Sequence, residues 1–333
     1  MKDSSLIWSD RSEAQFREAS AHVLESWQVF DRRPEAVAMK ARSRTFGDVF
    51  VKYYPQPGGA ERVATEFEAL RHYSDAMRDV DGFGVLRPIT TIEDKSGGGA
   101  LVAEWIRLHR GDRWFKLSMP FNFARRHGIR RVAKWLQLFH TVGQTEPAAV
   151  TEALDRERLL TEFEVIMSAY RGSAHPSLDV SRKLDLLSES VDRVSGESVP
   201  CSRLHADFMP QNTFISRNQV VGFDFEATDR GPVLRDIGNF ASNTLWMSYS
   251  SMSWRQIRIF KEDTELFLES YFAGLKVNPA LLRLFMIEAM VKKATGVRKK
   301  GMNTTQMKRW TAQRHLNTLG AALDHFVSDE IVA

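Results

Sequence analysis

Apolar positions recur first at helical spacing and then in alternation. Phe16, Ala19, Val23 and Trp27 share one side of a helix predicted over residues 11–26. From there the period falls to two. Trp27–Phe30, Ala36–Arg42 and Asp48–Tyr54 read as three strands, joined by turns at Asp31–Glu35 and Ser43–Gly47. Glu61–Met77 returns to the helical period, with Val63, Phe67, Leu70 and Tyr73 as its apolar stripe. Strands around Gly84–Ile89 and over Gly99–Trp105 close this β-rich part.

Beyond residue 106 the pattern is mostly helical. Ile129, Val132, Ala133, Leu136, Phe139 and His140 fall on one face, where His140 reads as a structural histidine. Residues 151–170 and 178–195 form two more predicted helices, with a turn at Gly172–Pro176 between them. Helical period resumes over Asp236–Met247, Trp254–Ala273, Pro279–Val297 and Thr304–Phe326, with Asn278 as cap and Pro279 in a first turn. The interruption is a short hairpin, Asn212–Ser216 and Val220–Phe223, turning at Arg217–Gln219.

Two charges sit inside apolar patterns. Lys52 lies within the strand Val49–Tyr54, where a lysine needs an anionic partner. Glu66 follows Val63 by three and precedes Leu70 by four, so it lies on the apolar stripe of its helix, whereas Glu68 is turned about 200° away. A Lys52–Glu66 pair is therefore expected.

Composition narrows the class. The 333 residues suffice for two lobes, and 43% hydrophobic with 26% charged residues is ordinary for a soluble globular protein. Cys201 is the single cysteine, so no intrachain disulfide forms, which suits a reducing compartment. The first residues lack a signal-peptide apolar core, and no stretch approaches the ~20 apolar residues of a membrane span. A cytoplasmic protein is expected. The net charge of +4 is uneven: residues 276–315 hold ten Lys/Arg against the one acid Glu288.

The chemistry concentrates in Leu204–Asn239. Asp207 is followed five residues later by Asn212, and Asp224 stands twelve residues beyond, past an apolar strand. The hairpin brings Asn212 and Asp224 toward one space. An amide oxygen, a carboxylate and nucleotide phosphates make a set that suits Mg²⁺, a hard cation that keeps several waters. Asp207, on the preceding loop, is placed to accept a proton from an attacking hydroxyl.

The pattern H-x-D-x-x-x-x-N from His205, then D-F-E at Asp224, resembles the aminoglycoside phosphotransferase and choline kinase-like family, the protein-kinase-like small-molecule kinases. Gly231-Pro232 to Arg235-Asp236-Ile237-Gly238 resembles the family's G-D-P…D-L-A segment, Trp135–His140 its L-x-x-L-H helix end, and Glu66–Arg71 its corresponding helix. The resemblance implies an α+β, bilobal kinase-like fold: residues 1–106 as the nucleotide-binding N-lobe with an antiparallel sheet and a helix, and 107–333 as the mainly helical C-lobe. It implies Asp207 as base, Asn212 and Asp224 on Mg²⁺, and Lys52, held by Glu66, on the phosphates of ATP or GTP. Residues 103–106, including Glu104, Trp105 and Ile106, would be the hinge whose backbone binds adenine. His205 would pack beneath the loop, and Asp236 would anchor it.

Departures from the family are informative. The turn Asp31-Arg32-Arg33-Pro34-Glu35 has no glycine with which to cradle phosphate. Arg32 and Arg33 read foremost as solvated surface residues, with phosphate contact as the alternative. Ala206 replaces the usual glycine, which predicts ordinary backbone angles there. Glu226 stands where protein kinases carry glycine and is a weak candidate for metal or substrate.

The expected activity is transfer of the γ-phosphate to a hydroxyl of a small molecule or glycan. The basic 276–315 stretch allows an anionic acceptor, or peripheral membrane contact, but a solvated basic face that offsets a helix dipole is the plainer reading. No motif suggests nucleic acid. Trp246, Tyr249 and Trp254 read as core first and acceptor wall second. Protein kinase activity fits less well, since Gly231 follows Asp224 too soon for an activation loop. A catalytically silent binding protein on the same scaffold is the other alternative.

Overall fold

The period-2 segments pair as an antiparallel sheet of five strands. Their spatial order is β1 (Leu24–Arg32), β2 (Val37–Ser43), β3 (Gly47–Tyr54), β6 (Gly99–Glu104) and β5 (Pro88–Glu93). The computed structural model describes residues 8–33, 35–118, 122–142, 150–171, 188–225, 230–249, 254–273 and 277–301. Alternation assigns the two faces of the sheet. Val37, Met39, Val49, Val51, Tyr53 and Val102 point to a core completed by Phe16 of helix α1 (Asp10–Ser20). The opposite positions, among them Lys52, face helix α2 (Gly59–Ala76), whose Val63, Leu70 and Tyr73 are buried as expected.

Helix α1 ends earlier than its apolar spacing predicts. Ser9 and Ser12 form a capping box at its start, and Leu24 already pairs with Ser43 in the sheet. Val23 and Trp27 still reach the same core as Phe16, from a turn and a strand instead of a helix face. The predicted Gly84–Ile89 strand is two strands, β4 (Phe83–Val85) and β5. Between them the chain changes sheets, because β4 runs parallel to β11 (Val220–Gly222) and the Leu86 amide donates to the Gly222 carbonyl at 2.9 Å. The hairpin of β10 (Thr213–Ile215) and β11 pairs Thr213 with Gly222, and β7 (His109–Arg110) adds to its outer edge. Asn212 closes a 3-10 turn, Pro210–Asn212, instead of opening the strand.

The chain divides into two compact units, Met1–Trp114 with Thr213–Glu226, and Phe115–Asn212 with Ala227–Ala333. The second is mainly helical: α3 (Gly111–Ser118, which spans the division), α4 (Asn122–Val142), α5 (Arg156–Arg171), α6 (188–194), α7 (Leu234–Tyr249), α8 (Trp254–Phe272) and α9 (Pro279–Gly301). It also holds a three-stranded sheet in the order β12 (Arg230–Pro232), β9 (Ser198–Arg203), β8 (Val150–Ala153). Residues 151–153 are therefore strand where helix was expected. The helix begins only after Asp155, whose carboxylate caps the Arg158 amide at 3.1 Å. Asn278 caps α9 as expected, accepting from the Ala280 amide at 2.9 Å. The predicted helix Thr304–Phe326, the turn Gly172–Pro176, residues 178–187 and Glu226 lie outside the described residues, as do the side chains of Trp246, Tyr249 and Trp254. Among the described residues no helix is long and apolar enough to cross a membrane.

An aromatic column runs through the helical core. Trp135 of α4 stacks on Phe208 with centroids 5.5 Å apart, Phe208 on Phe240 of α7 at 5.4 Å, and Phe240 on Phe267 of α8 at 4.8 Å. Helices α7 and α9 approach more closely still at Gly238, where a Cβ would lie 2.7 Å from the Phe285 carbonyl carbon and 2.9 Å from its oxygen. Alanine normally stabilises a helix interior by about 1 kcal/mol relative to glycine. Here Gly238→Ala is expected to lower stability by about 1–3 kcal/mol through overpacking, read as a lower thermal midpoint.

Candidate active site

The first unit holds the lysine cluster. Lys52 Nζ donates to both oxygens of Glu66, at 3.0 and 3.1 Å, and to Asp224 Oδ1 at 2.5 Å. The Tyr54 hydroxyl donates to Glu66 Oε2 at 3.1 Å. Burial works against the charge on Lys52, but Glu66 and Asp224 outweigh it and hold its pKa above the ordinary lysine value. Burial, then the charge of Glu66, pushes the Tyr54 phenol up to about 12. The cluster is thus a fixed ammonium between two carboxylates. A second cation completes it: Arg33 Nη1 lies 3.7 Å from Asp224 Oδ2. Arg33 is exposed, as a surface residue was expected to be, and it also reaches Asp224.

Asp224 is delivered by the end of β11 with φ at 65°, a left-handed angle that Asp tolerates better than most residues. Phe225 beyond it is buried against Tyr73 of α2, edge to face at 5.5 Å. The helix that carries Glu66 therefore also seats the residue after Asp224.

The second unit holds the loop after β9. Asp236, 1% exposed at the start of α7, accepts from the His205 amide at 2.7 Å and the Ala206 amide at 2.9 Å. His140 Nε2 contacts the same carboxylate at 3.0 Å, and the Tyr271 hydroxyl reaches His140 Nδ1 at 2.6 Å. A neutral His140 carrying its proton on Nε2 satisfies both contacts. His140 is structural, as its place on an apolar face suggested. Ala206 does not keep ordinary backbone angles: its φ is 68°. Aiming two successive amides at one carboxylate demands this turn. Charge-assisted hydrogen bonds of roughly 1.5–3 kcal/mol each outweigh the ~1–2 kcal/mol that alanine loses there.

Asp207 follows, half-buried. Asn212 Nδ2 donates to its carbonyl at 2.9 Å and to its Oδ2 at 3.0 Å. Phe208, next in the chain and fully buried in the aromatic column, fixes the other side of the loop. His205, also fully buried, packs against Trp135, Phe139 and Phe208. The role of Phe208 was missed in the sequence, although a phenylalanine directly after the candidate base was a visible signal.

Of the expected hinge residues, Glu104 ends β6 in the ladder pair with Val49, and Trp105 and Ile106 follow it. Trp105 is half-buried, with Phe30 edge-on at 6.2 Å and the Lys40 ammonium 5.0 Å over its ring. Ile106 is also half-buried.

A sequence model described as the phosphotransferase enzyme family, APH, matches residues 36–274, well over half of the chain. The chain belongs to the APH phosphotransferase family. No curated protein matches it. Among solved structures the APH member resembles amicoumacin kinase hAmiN in complex with AMP-PNP, Ca²⁺ and Ami, with TM-score 0.61 at 13% identity over 95% of this chain and 94% of that one. It also resembles spectinomycin phosphotransferase APH(9)-Ia in complex with ADP and spectinomycin, with TM-score 0.60 at 12% identity over 94% and 98%. A choline/ethanolamine kinase family protein from Mesorhizobium loti matches with TM-score 0.56 at 14% identity over 96% and 98%. The fold is the α+β, kinase-like one, and the chain is a phosphotransferase.

Asn212 spends its amide nitrogen on Asp207, which leaves the amide oxygen as the ligating atom. Asp224 offers a carboxylate. Among the described residues no group of three or more His, Cys, Asp or Glu could hold a metal by itself. A carboxylate and an amide oxygen are each hard donors of the kind Mg²⁺ prefers.

Asp236→Asn replaces one acceptor oxygen with a donor facing a buried amide. It is expected to cost roughly 2–3 kcal/mol in denaturant unfolding. Ala206→Gly relieves the positive φ and is expected to stabilise by about 0.5–1 kcal/mol in the same assay.

Proposed function

We propose that the chain moves the γ-phosphate of ATP to a hydroxyl of a small molecule or glycan. Residues 1–106 act as the nucleotide lobe, and 107–333 carry the catalytic loop and acceptor helices. The observation that supports this most is Lys52 held between Glu66 and Asp224, three residues far apart in sequence. An ammonium fixed in this way is positioned to orient phosphates, and most catalysis of phosphoryl transfer is positioning and charge neutralisation.

Asp207 takes the proton of the acceptor hydroxyl as that oxygen attacks. The hydrogen bond from Asn212 orients its carboxylate, and the amides held by Asp236 fix its backbone. The backbone at Glu104, Trp105 and Ile106 receives the adenine. Asn212 and Asp224 would hold Mg²⁺, which would supply charge neutralisation at the phosphates. His205 supports the loop by packing. An alcohol acceptor is in keeping with neighbours that carry amicoumacin or spectinomycin, and with a choline/ethanolamine kinase family neighbour. An anionic acceptor is drawn only from the basic stretch, where Lys292 pairs with Glu288 at 2.5 Å.

The test uses γ-labelled ATP, Mg²⁺ and a panel of small-molecule alcohols, both cationic and anionic. Label should pass to one class of metabolite, and Asp207→Asn should lower turnover by about 10²–10⁴-fold. Label reaching only protein, or an undiminished Asp207→Asn, would overturn the assignment.

A further inference from the structure

We propose that Arg33 is the phosphate-contacting residue of the glycine-free β1–β2 turn, and that without nucleotide it rests on Asp224. This depends on the nucleotide-site reading given above. A glycine-rich loop holds phosphates through backbone amides. Here that route is largely closed. Pro34 has no amide hydrogen, and the Arg33 amide donates to the Ala36 carbonyl at 2.8 Å to close the turn. What the turn offers instead is the Arg33 guanidinium, with Nη1 3.7 Å from Asp224 Oδ2.

The geometry makes Arg33 the partner able to move. Its side chain is 49% exposed, whereas that of Asp224 is 10% exposed and held from its other oxygen by Lys52. One of its other contacts, Nε to Asp31 Oδ2 at 3.1 Å, lies on the same turn and can travel with it. The neighbouring guanidinium, Arg110, is gripped at 2.7 and 2.9 Å by Asp112.

Charge balance favours an exchange. Two carboxylates, Glu66 and Asp224, face two cations, Lys52 and Arg33. A nucleotide with its divalent cation would offer each member of that pair a new partner when it parts: the cation would take the place of Arg33 beside Asp224, and phosphate oxygens the place of Asp224 beside Arg33. Guanidinium suits phosphate because it can donate two parallel hydrogen bonds.

The experiment is calorimetric titration of the full chain with ATP and Mg²⁺, and separately with adenosine. Arg33→Ala should weaken ATP binding by about 10- to 100-fold, as for loss of a charged hydrogen bond, and leave adenosine binding unchanged. Arg33→Lys should bind ATP between the two, and Arg32→Ala should match the parent. Thermal melts check that each variant is folded, and Arg33→Gln serves if the alanine variant is not. Lys52→Met is the reference. If it loses ATP while Arg33→Ala keeps it, Arg33 has no such role and the nucleotide site stands. If the parent chain binds no ATP, the nucleotide site itself is wrong and the inference falls with it. Equal losses of ATP and adenosine affinity in Arg33→Ala would mark a structural effect and also overturn it.

Discussion

A carboxylate buried to 1% exposure has to be given donors, and much of the helical unit is arranged around supplying them to Asp236. Two of its donors are consecutive main-chain amides, so the chain must turn at Ala206. The third is His140, which joins α4 to the site and is itself completed by Tyr271 of α8. With the backbone held at 205 and 206 and Phe208 locked into the aromatic column, Asp207 between them has little freedom. Its position is set by neighbours that do no chemistry.

The sheet unit meets the same constraint differently. Glu66 and Asp224 are buried acids, and the side-chain cations Lys52 and Arg33 reach them. Side-chain cations can be exchanged and main-chain donors cannot. One carboxylate arrangement is thus fixed by its donors, and the other is built from groups that can trade partners.

Where a residue's role follows from a periodic face, the sequence was readable. Lys52 in a strand and Glu66 on a stripe predicted each other, and His140 on an apolar face proved structural. Asn278 was legible as a cap because capping is local. The failures share a cause in long-range pairing. Residues 24–26 and 151–153 carry patterns compatible with helix, and partners at 42–43 and 198–200 draw them into sheets. Ala206 was misjudged because its own preference is outweighed by a carboxylate thirty residues later. Arg33 could not be distinguished from its neighbour Arg32 until the fold put it beside Asp224.

The contact of α7 with α9 at Gly238 is made by main chain, since no Cβ intervenes. Ser242, one turn on, also bonds main chain, the Met286 carbonyl at 3.0 Å. A helix seated through its backbone leaves its outward side chains uncommitted to that seat. Such a joint can outlast extensive divergence: the neighbours compared here share the fold at 12–14% identity. Replacing side chains on the far faces of α7 and α9 therefore leaves this joint's own contacts in place.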